Sequence, residues 1–285
     1  MGQVQTQVVR GSRPRVVTLQ TIQERINWAL RYGYTIFILV VGEKGLGKSS
    51  LCLGLLYEIY KRFYPGMEQQ IWRATFNHLT FTPRQFYRIY SDAKKAMDRE
   101  LVSLGLDPEI LRMDVETDWL AIVDQILATN ITLQDLEEIR MRLRIKGVLV
   151  DDIGAHISRH DTSIYWDPYF QHLFADLTLI RPYCSCMLAT APDITDVPRA
   201  ILKHVTDIIQ AESKGHGTYR IKKRFLRFRG SEVGGYMKLY DQAPVTWYKL
   251  PDEQYARYEM LRHLLSRKVT HEADEALAKK ALRDV

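Results

Sequence analysis

Residues Thr35 to Tyr60 read TIFILVVGEKGLGKSSLCLGLLYEIY. An apolar run stops at Gly42, the chain passes Gly45 and Gly47, and after Lys48-Ser49-Ser50 it turns apolar again. Ile36 to Val41 is continuous, rich in β-branched residues and of strand length, as expected of a strand buried on both faces. Ser50 to Arg62 sets Leu51, Leu55, Ile59 and Arg62 at helical spacing, with no proline and only Gly54 inside. Between them, Gly42-Glu43-Lys44-Gly45-Leu46-Gly47-Lys48-Ser49 satisfies G-x-x-x-x-G-K-[ST] at every fixed position. Glycines let successive backbone N–H groups turn inward around a phosphate, and the helix that follows adds partial positive charge at its N-terminus. The stretch Gly42 to Ser50 is therefore expected to hold a nucleotide triphosphate, with Lys48 reaching the β- and γ-phosphates and the Ser49 hydroxyl on Mg²⁺.

Such a loop needs carboxylates from elsewhere. Ile145 to Gly154, IKGVLVDDIG, ends an apolar run in two acids. Val148 to Val150 reads as a strand, which puts Asp151 at its C-terminal edge, where open α/β sheets bind ligands. Asp151 is the expected metal-side carboxylate, acting on the Ser49-bound Mg²⁺ through water. Asp152 is the expected polariser of the attacking water. An Asp pair capping a turn before Gly154 is the plainer alternative. Cys184 to Ala189, CSCMLA, is a further apolar strand, and Thr190 at its tip is a candidate to sense the γ-phosphate or orient water.

Taken in this order, the three elements resemble the additional-strand division of P-loop NTPases. The resemblance implies a three-layer α/β fold with a mostly parallel sheet. It also implies that the Thr190 strand lies between the loop strand and the Asp strand. The apolar-Asp-Asp-Ile-Gly form is similar to that of AAA+ replication initiators and helicase loaders. The Phe81-Thr82-Pro83 helix start is similar to that of small archaeal and viral P-loop ATPases. The resemblance spans about residues 35 to 211. This chain has Thr190 where DNA-pumping translocases carry Gln, and it lacks an Asn-Lys-x-Asp guanine-reading motif, which favours ATP over GTP. It shows no sequence motif for a second-sensor arginine in a C-terminal lid.

Composition sets the bounds. With 285 residues, 46% of them hydrophobic, the chain can bury a full core. No apolar run reaches the roughly 18 residues that cross a bilayer. Cys52, Cys184 and Cys186 make neither a disulfide framework nor a zinc site. Small buried residues in a reducing, cytoplasmic setting are the expectation, with Cys184 and Cys186 sharing one face of a strand. The opening MGQVQT fits an N-myristoylation pattern, against the plainer reading of a short polar tail.

The rest of the chain is read around the loop. Residues 1–18 are an expected flexible tail, and 19–211 the ATPase domain. Leu19 to Arg31 has the spacing of an amphipathic helix. Ile71 to Phe81 is expected to be a strand. Thr82 and Pro83 suit the N-cap and first position of a helix running to about Leu104. Leu106 to Arg144 is helical in pattern, and an inserted helical segment is expected over about 95–146. His156 to Asp167 reads as a solvated loop, with Arg159 and His160 in it, and Phe170 to Ile180 as a helix. Pro198 to Lys203 is a short helix, and Val205 to Ala211 a fifth core strand. Arg181 and Arg199 flank the Thr190 strand and are candidates for an arginine given to a neighbouring subunit of a homo-oligomer.

Residues 212–285 are expected to form a basic β-hairpin and C-terminal helices. Tyr219 to Arg229 and Tyr236 to Tyr240 read as two strands around a glycine-rich turn. Arg220, Lys222 and Arg224 alternate on one face of the first strand, and Lys223, Arg227 and Arg229 on the other. With Tyr219, Phe225 and Phe228 among them, the ribbon suits phosphates and stacked bases, so nucleic acid, DNA ahead of RNA, is the expected partner. A solvated edge hairpin guarded against aggregation by its cations is the alternative. The net charge of +6 permits such a partner without demanding one. Asp252 to Arg267 reads as a helix, and Glu272 to Val285 as a charged tail. An ATPase that remodels, loads or translocates nucleic acid is the leading functional expectation. A slow nucleotide-dependent protein switch and a small-molecule phosphotransferase are the others.

Overall fold

The computed structural model describes residues 19–110, 115–129, 131–153, 183–229 and 232–264. The expected tail 1–18, the Arg159–His160 loop, the helix over 170–180, Arg181 and the tail from Glu272 lie outside them.

The apolar run folds as β1 (Ile36–Val41), buried along its whole length, and the segment after the glycine loop as α2 (Lys48–Lys61). Helix α1 (Leu19–Tyr32) precedes them and buries Ile22, Ile26 and Ala29, its i, i+4, i+7 stripe. The expected strand over 71–81 is mostly helix: α3 (Glu68–Asn77) is followed by β2 (Leu79–Thr80) of two residues. Ile71, Trp72 and Thr75 are the buried face of α3, and Thr75 Oγ1 donates back to the Ile71 carbonyl at 2.8 Å. Burial of that face against α2 overrode the β preference of the Thr and aromatic residues.

Helix α4 (Pro83–Ser103) begins with a full capping box. Gln85 N–H donates to the Thr82 hydroxyl, and the Gln85 side-chain oxygen accepts from Thr82 N–H. Helices α5 (Val115–Ala128) and α6 (Leu133–Leu143) follow, the latter capped by Thr132 and Asp135. Arg144 then turns the chain back to the sheet. It is 2% exposed, and its Nη2 donates to the carbonyls of Tyr34 and Cys184 and to Thr35 Oγ1. Burial lowers its guanidinium to about 10.

The sheet is completed by β3 (Val148–Val150), β4 (Cys186–Ala191), β5 (Asp207–Ser213), β6 (His216–Arg229) and β7 (Glu232–Thr246), with α7 (Arg199–Leu202) between β4 and β5. Its order is β2-β3-β4-β1-β5-β6-β7. The first five strands are parallel and β6 and β7 antiparallel. Strand β4 therefore lies between β1 and β3, the place that the resemblance implies for the Thr190 strand. One apolar cluster fills the face under α1, α2 and α3, and a second fills the face under α4 and α7. The molecule is a three-layer α/β P-loop NTPase fold. Cys184 and Cys186 do not share a face. Cys184 belongs to the α4 cluster and Cys186 to the α2 cluster, because regular pairing of β4 starts only at Cys186.

The hairpin grows out of this sheet. Strand β6 pairs with β5 only as far as Ile221, and from Lys222 to Arg229 it pairs with β7 alone. Its outer half is thus a two-stranded arm. After β7, residues 247–251 share a cleft with α2, and α8, residues 252–264, closes the described structure.

Candidate nucleotide site

The loop from Gly42 to Ser49 sits at the C-terminal end of β1, and all three of its glycines have positive φ. Gly42 has φ 145°, and a Cβ there would lie 2.6 Å from the Ala211 carbonyl oxygen. Gly47 is the left-handed N-cap of α2 at φ 85°. Lys48 Nζ donates to the carbonyls of Gly42 at 2.6 Å and Glu43 at 2.8 Å. Its ammonium is lowered by burial, with Asp152 and Asp151 partly opposing that.

Asp151 is 2% exposed at the end of β3 and gathers the site around its carboxylate. Oδ1 accepts from Ser49 Oγ at 2.8 Å and from Thr190 Oγ1 at 2.7 Å. Thr190 Oγ1 also accepts from Asp152 N–H at 2.7 Å. The expected set Ser49, Asp151, Asp152 and Thr190 is therefore one hydrogen-bonded chain across the start of α2, the end of β3 and β4. Strand β4 runs one residue past Thr190, to Ala191. Asp152 has φ 52°, the left-handed region that Asp tolerates better than most residues, and its buried Oδ1 has no hydrogen-bond partner among the described residues. A backbone held in this way, with an unsatisfied acceptor, is typical of functional sites.

One pocket joins these groups. Its wall holds Lys44, Gly45, Gly47, Lys48, Ser49 and Ser50 from the loop side, and Asp151, Asp152 and Thr190 from the strand tips. Gly42, Glu43 and Leu46 are outside that wall: Gly42 is buried against Ala211, Glu43 is exposed, and Leu46 packs on the α2 cluster. Arg199 is exposed on α7 and is likewise not part of it.

The third side comes from α8, which the sequence reading did not assign to the site. Tyr255, Tyr258, Glu259 and Arg262 line the pocket at i, i+3, i+4 and i+7. Tyr258 donates to Asp151 Oδ2 at 2.6 Å, and burial, then Asp151, raises its phenol above the ordinary value. Burial lowers the Arg262 guanidinium, but Tyr258, Asp151, Glu259 and Asp152 outweigh it and hold it above its usual range. Trp247 Nε1 donates to the Gly47 carbonyl at 3.2 Å, tying the exit of β7 to the loop. The regular polar spacing on α8 was the available signal for these residues.

The oxygens of Ser49 and Asp151 suit a hard cation such as Mg²⁺, which takes one or two protein oxygens and fills its shell with phosphate and water. Among the described residues no helix is long and apolar enough to cross a membrane.

No protein-family model matches the chain, and no curated protein matches it. Among solved structures, the flagellar accessory protein FlaH from Methanocaldococcus jannaschii is similar over 74% of this chain and 79% of its own, at 16% identity and a TM-score of 0.25. The KaiC-like protein PH0186 from Pyrococcus horikoshii OT3 is similar over 76% and 90%, at 14% identity and a TM-score of 0.26. At these scores the fold assignment rests on this chain's own loop, strand order and hydrogen bonds.

Proposed function

We propose that the chain is a Mg²⁺-dependent ATPase of the additional-strand division that couples hydrolysis to work on nucleic acid, with DNA the favoured substrate. The observation that carries the ATPase reading is the Ser49–Asp151 hydrogen bond beside a complete glycine loop. It joins the two oxygens that would hold Mg²⁺ at the mouth of a phosphate cradle. The ion, when bound, would neutralise charge on the β- and γ-phosphate oxygens.

The chain's own groups supply the rest. Backbone N–H groups from Gly45 to Ser50 hold the phosphates, and the Lys48 ammonium moves from loop carbonyls to phosphate oxygens. Asp152 polarises the attacking water. The water oxygen bonds to the γ-phosphorus, the bond to the β–γ bridging oxygen breaks, and ADP leaves with that oxygen. The proton passes to Asp152 and then to the released phosphate. Thr190 fixes the Asp152 backbone, and Arg262 faces the site from within the same chain, where it would offset phosphate charge. That assignment makes Arg181 or Arg199 of a neighbouring subunit unnecessary for a first arginine.

The hairpin register supports the nucleic-acid part. Acids stand opposite only at its ends, Asp241 across from Arg220 and Glu232 across from Arg229. Between them Lys222, Lys223, Arg224 and Arg227 face Leu239, Lys238, Met237 and Gly234. Lys223 and Lys238 are register partners, so the basic positions of the two strands meet in the middle of the arm. The deciding assay is ATP turnover with and without single- or double-stranded DNA. Stimulation by DNA is expected. Turnover indifferent to DNA would leave a slow nucleotide switch, and turnover only with an added nucleoside would make the chain a phosphotransferase.

A further inference from the structure

The phosphate pocket does not end at the loop. Ser50 lines it and also lines a second, more apolar cleft along the outer side of α2. Gly54, Tyr57, Trp72, Trp247 and Tyr248 form much of that cleft. Ser50 is one residue past the magnesium-side serine, so a nucleotide whose phosphates fill the loop has its sugar and base close by. We propose that this cleft is the nucleobase subsite, with the purine ring of ATP lying over Gly54 and against Tyr248. The proposal rests on the ATPase reading above and adds to it the surface that recognises the base.

Three observations converge on this occupant. Tyr248 is 90% exposed beside the cleft, while the preceding Trp247 is 7% exposed and anchored to Gly47. A large ring left in water next to a fixed neighbour is positioned to stack, and every base has a π-face to offer it. Gly54 sits inside α2, where glycine is a poor helix former. A Cβ at Gly54 would meet nothing within 4 Å, so packing does not require its absence. An open floor for a flat ligand accounts for it. Finally, Glu58 and Glu68 are among the polar groups of the cleft, and their carboxylates can accept from an exocyclic amino group such as that of adenine.

The test compares Mg-ATP with Mg-tripolyphosphate, which carries the phosphates and no base, by titration calorimetry. Gly54→Leu fills the cleft and favours the helix, so the variant should fold. Tyr248→Ala removes an exposed ring and leaves the core untouched. Both variants should lose about tenfold or more in ATP affinity, within the range of base–aromatic stacking, and bind tripolyphosphate as the wild type does. Unchanged ATP affinity in both variants would overturn the subsite. Equal losses for ATP and tripolyphosphate would overturn it too, because the substitutions would then act on the loop. If the wild type bound neither compound, the ATPase reading itself would fail, an outcome distinct from both.

Discussion

Asp151 accepts hydrogen bonds from Ser49, Thr190 and Tyr258, three hydroxyls from three separate parts of the chain. A buried carboxylate held by three hydroxyl donors keeps its position, ready to receive a metal-bound water. Asp152 beside it is the opposite case, with a left-handed backbone and one oxygen without a partner among the described residues. The contrast fits the separate roles proposed for the two residues. Asp152→Asn keeps the shape but weakens the acceptor, and turnover should fall about 100-fold with Mg-ATP affinity preserved; full turnover would remove Asp152 from water activation. Lys48→Ala should abolish nucleotide binding in titration calorimetry, since among the described residues no other ammonium lines the pocket except Lys44 at the loop's exposed shoulder. Tyr258→Phe leaves Asp151 Oδ2 without its phenol donor. It should lower the free energy of unfolding by about 1–3 kcal/mol in urea titrations, and no change would mean that water replaces the phenol freely.

At the scale of elements, the loop, β1, α2, β3 and the cap of α4 were legible because each is written in a few adjacent residues. Glycines at fixed spacing, an acid pair after a buried run and Thr-Pro before a helix all express local backbone chemistry. The contribution of α8 was hidden because Tyr258 meets Asp151 across 107 positions of sequence. Nothing in the helical pattern of 252–267 points Tyr258, Glu259 or Arg262 toward the loop. Helix α3 was misread because Ile71, Trp72 and Thr75 suit a strand locally and become a helical face only when α2 is there to cover them. A second polar node, invisible in sequence, joins α1, β5 and β6. The fully buried Asp207 takes Arg25 as an ion pair at 3.0 Å, the Thr206 hydroxyl at 2.6 Å and the Tyr219 hydroxyl. Arg25 is 38% exposed, so solvent weakens its share of that node. The larger effect of Asp207→Ala is to strand the buried Tyr219 hydroxyl. A loss of about 3 kcal/mol in unfolding free energy is expected, and less than about 1 kcal/mol would show that the node is dispensable.

Across the whole molecule, the phosphate loop and the basic arm are physically continuous. Strand β5 borders β1, β6 pairs with β5, and β7 leads directly into Trp247, whose indole holds the Gly47 carbonyl. Nucleotide at the loop and nucleic acid on the arm would therefore meet through one sheet and one side chain. Binding that is linked in this way must be reciprocal: DNA that tightens ATP must itself be held more tightly when ATP is present. Measuring DNA affinity with and without a non-hydrolysable ATP analogue tests the link, and Trp247→Phe, which keeps the ring but removes the indole N–H, should reduce the difference. The arm's own part is read by salt. Each phosphate contact contributes about 0.9 to the slope of log affinity against log salt on duplex DNA. Replacing Arg220, Lys222 and Arg224 together by alanine should flatten that slope by up to about 3. An unchanged slope would take this face of the hairpin out of the contact and leave its cations as guards of a sheet edge.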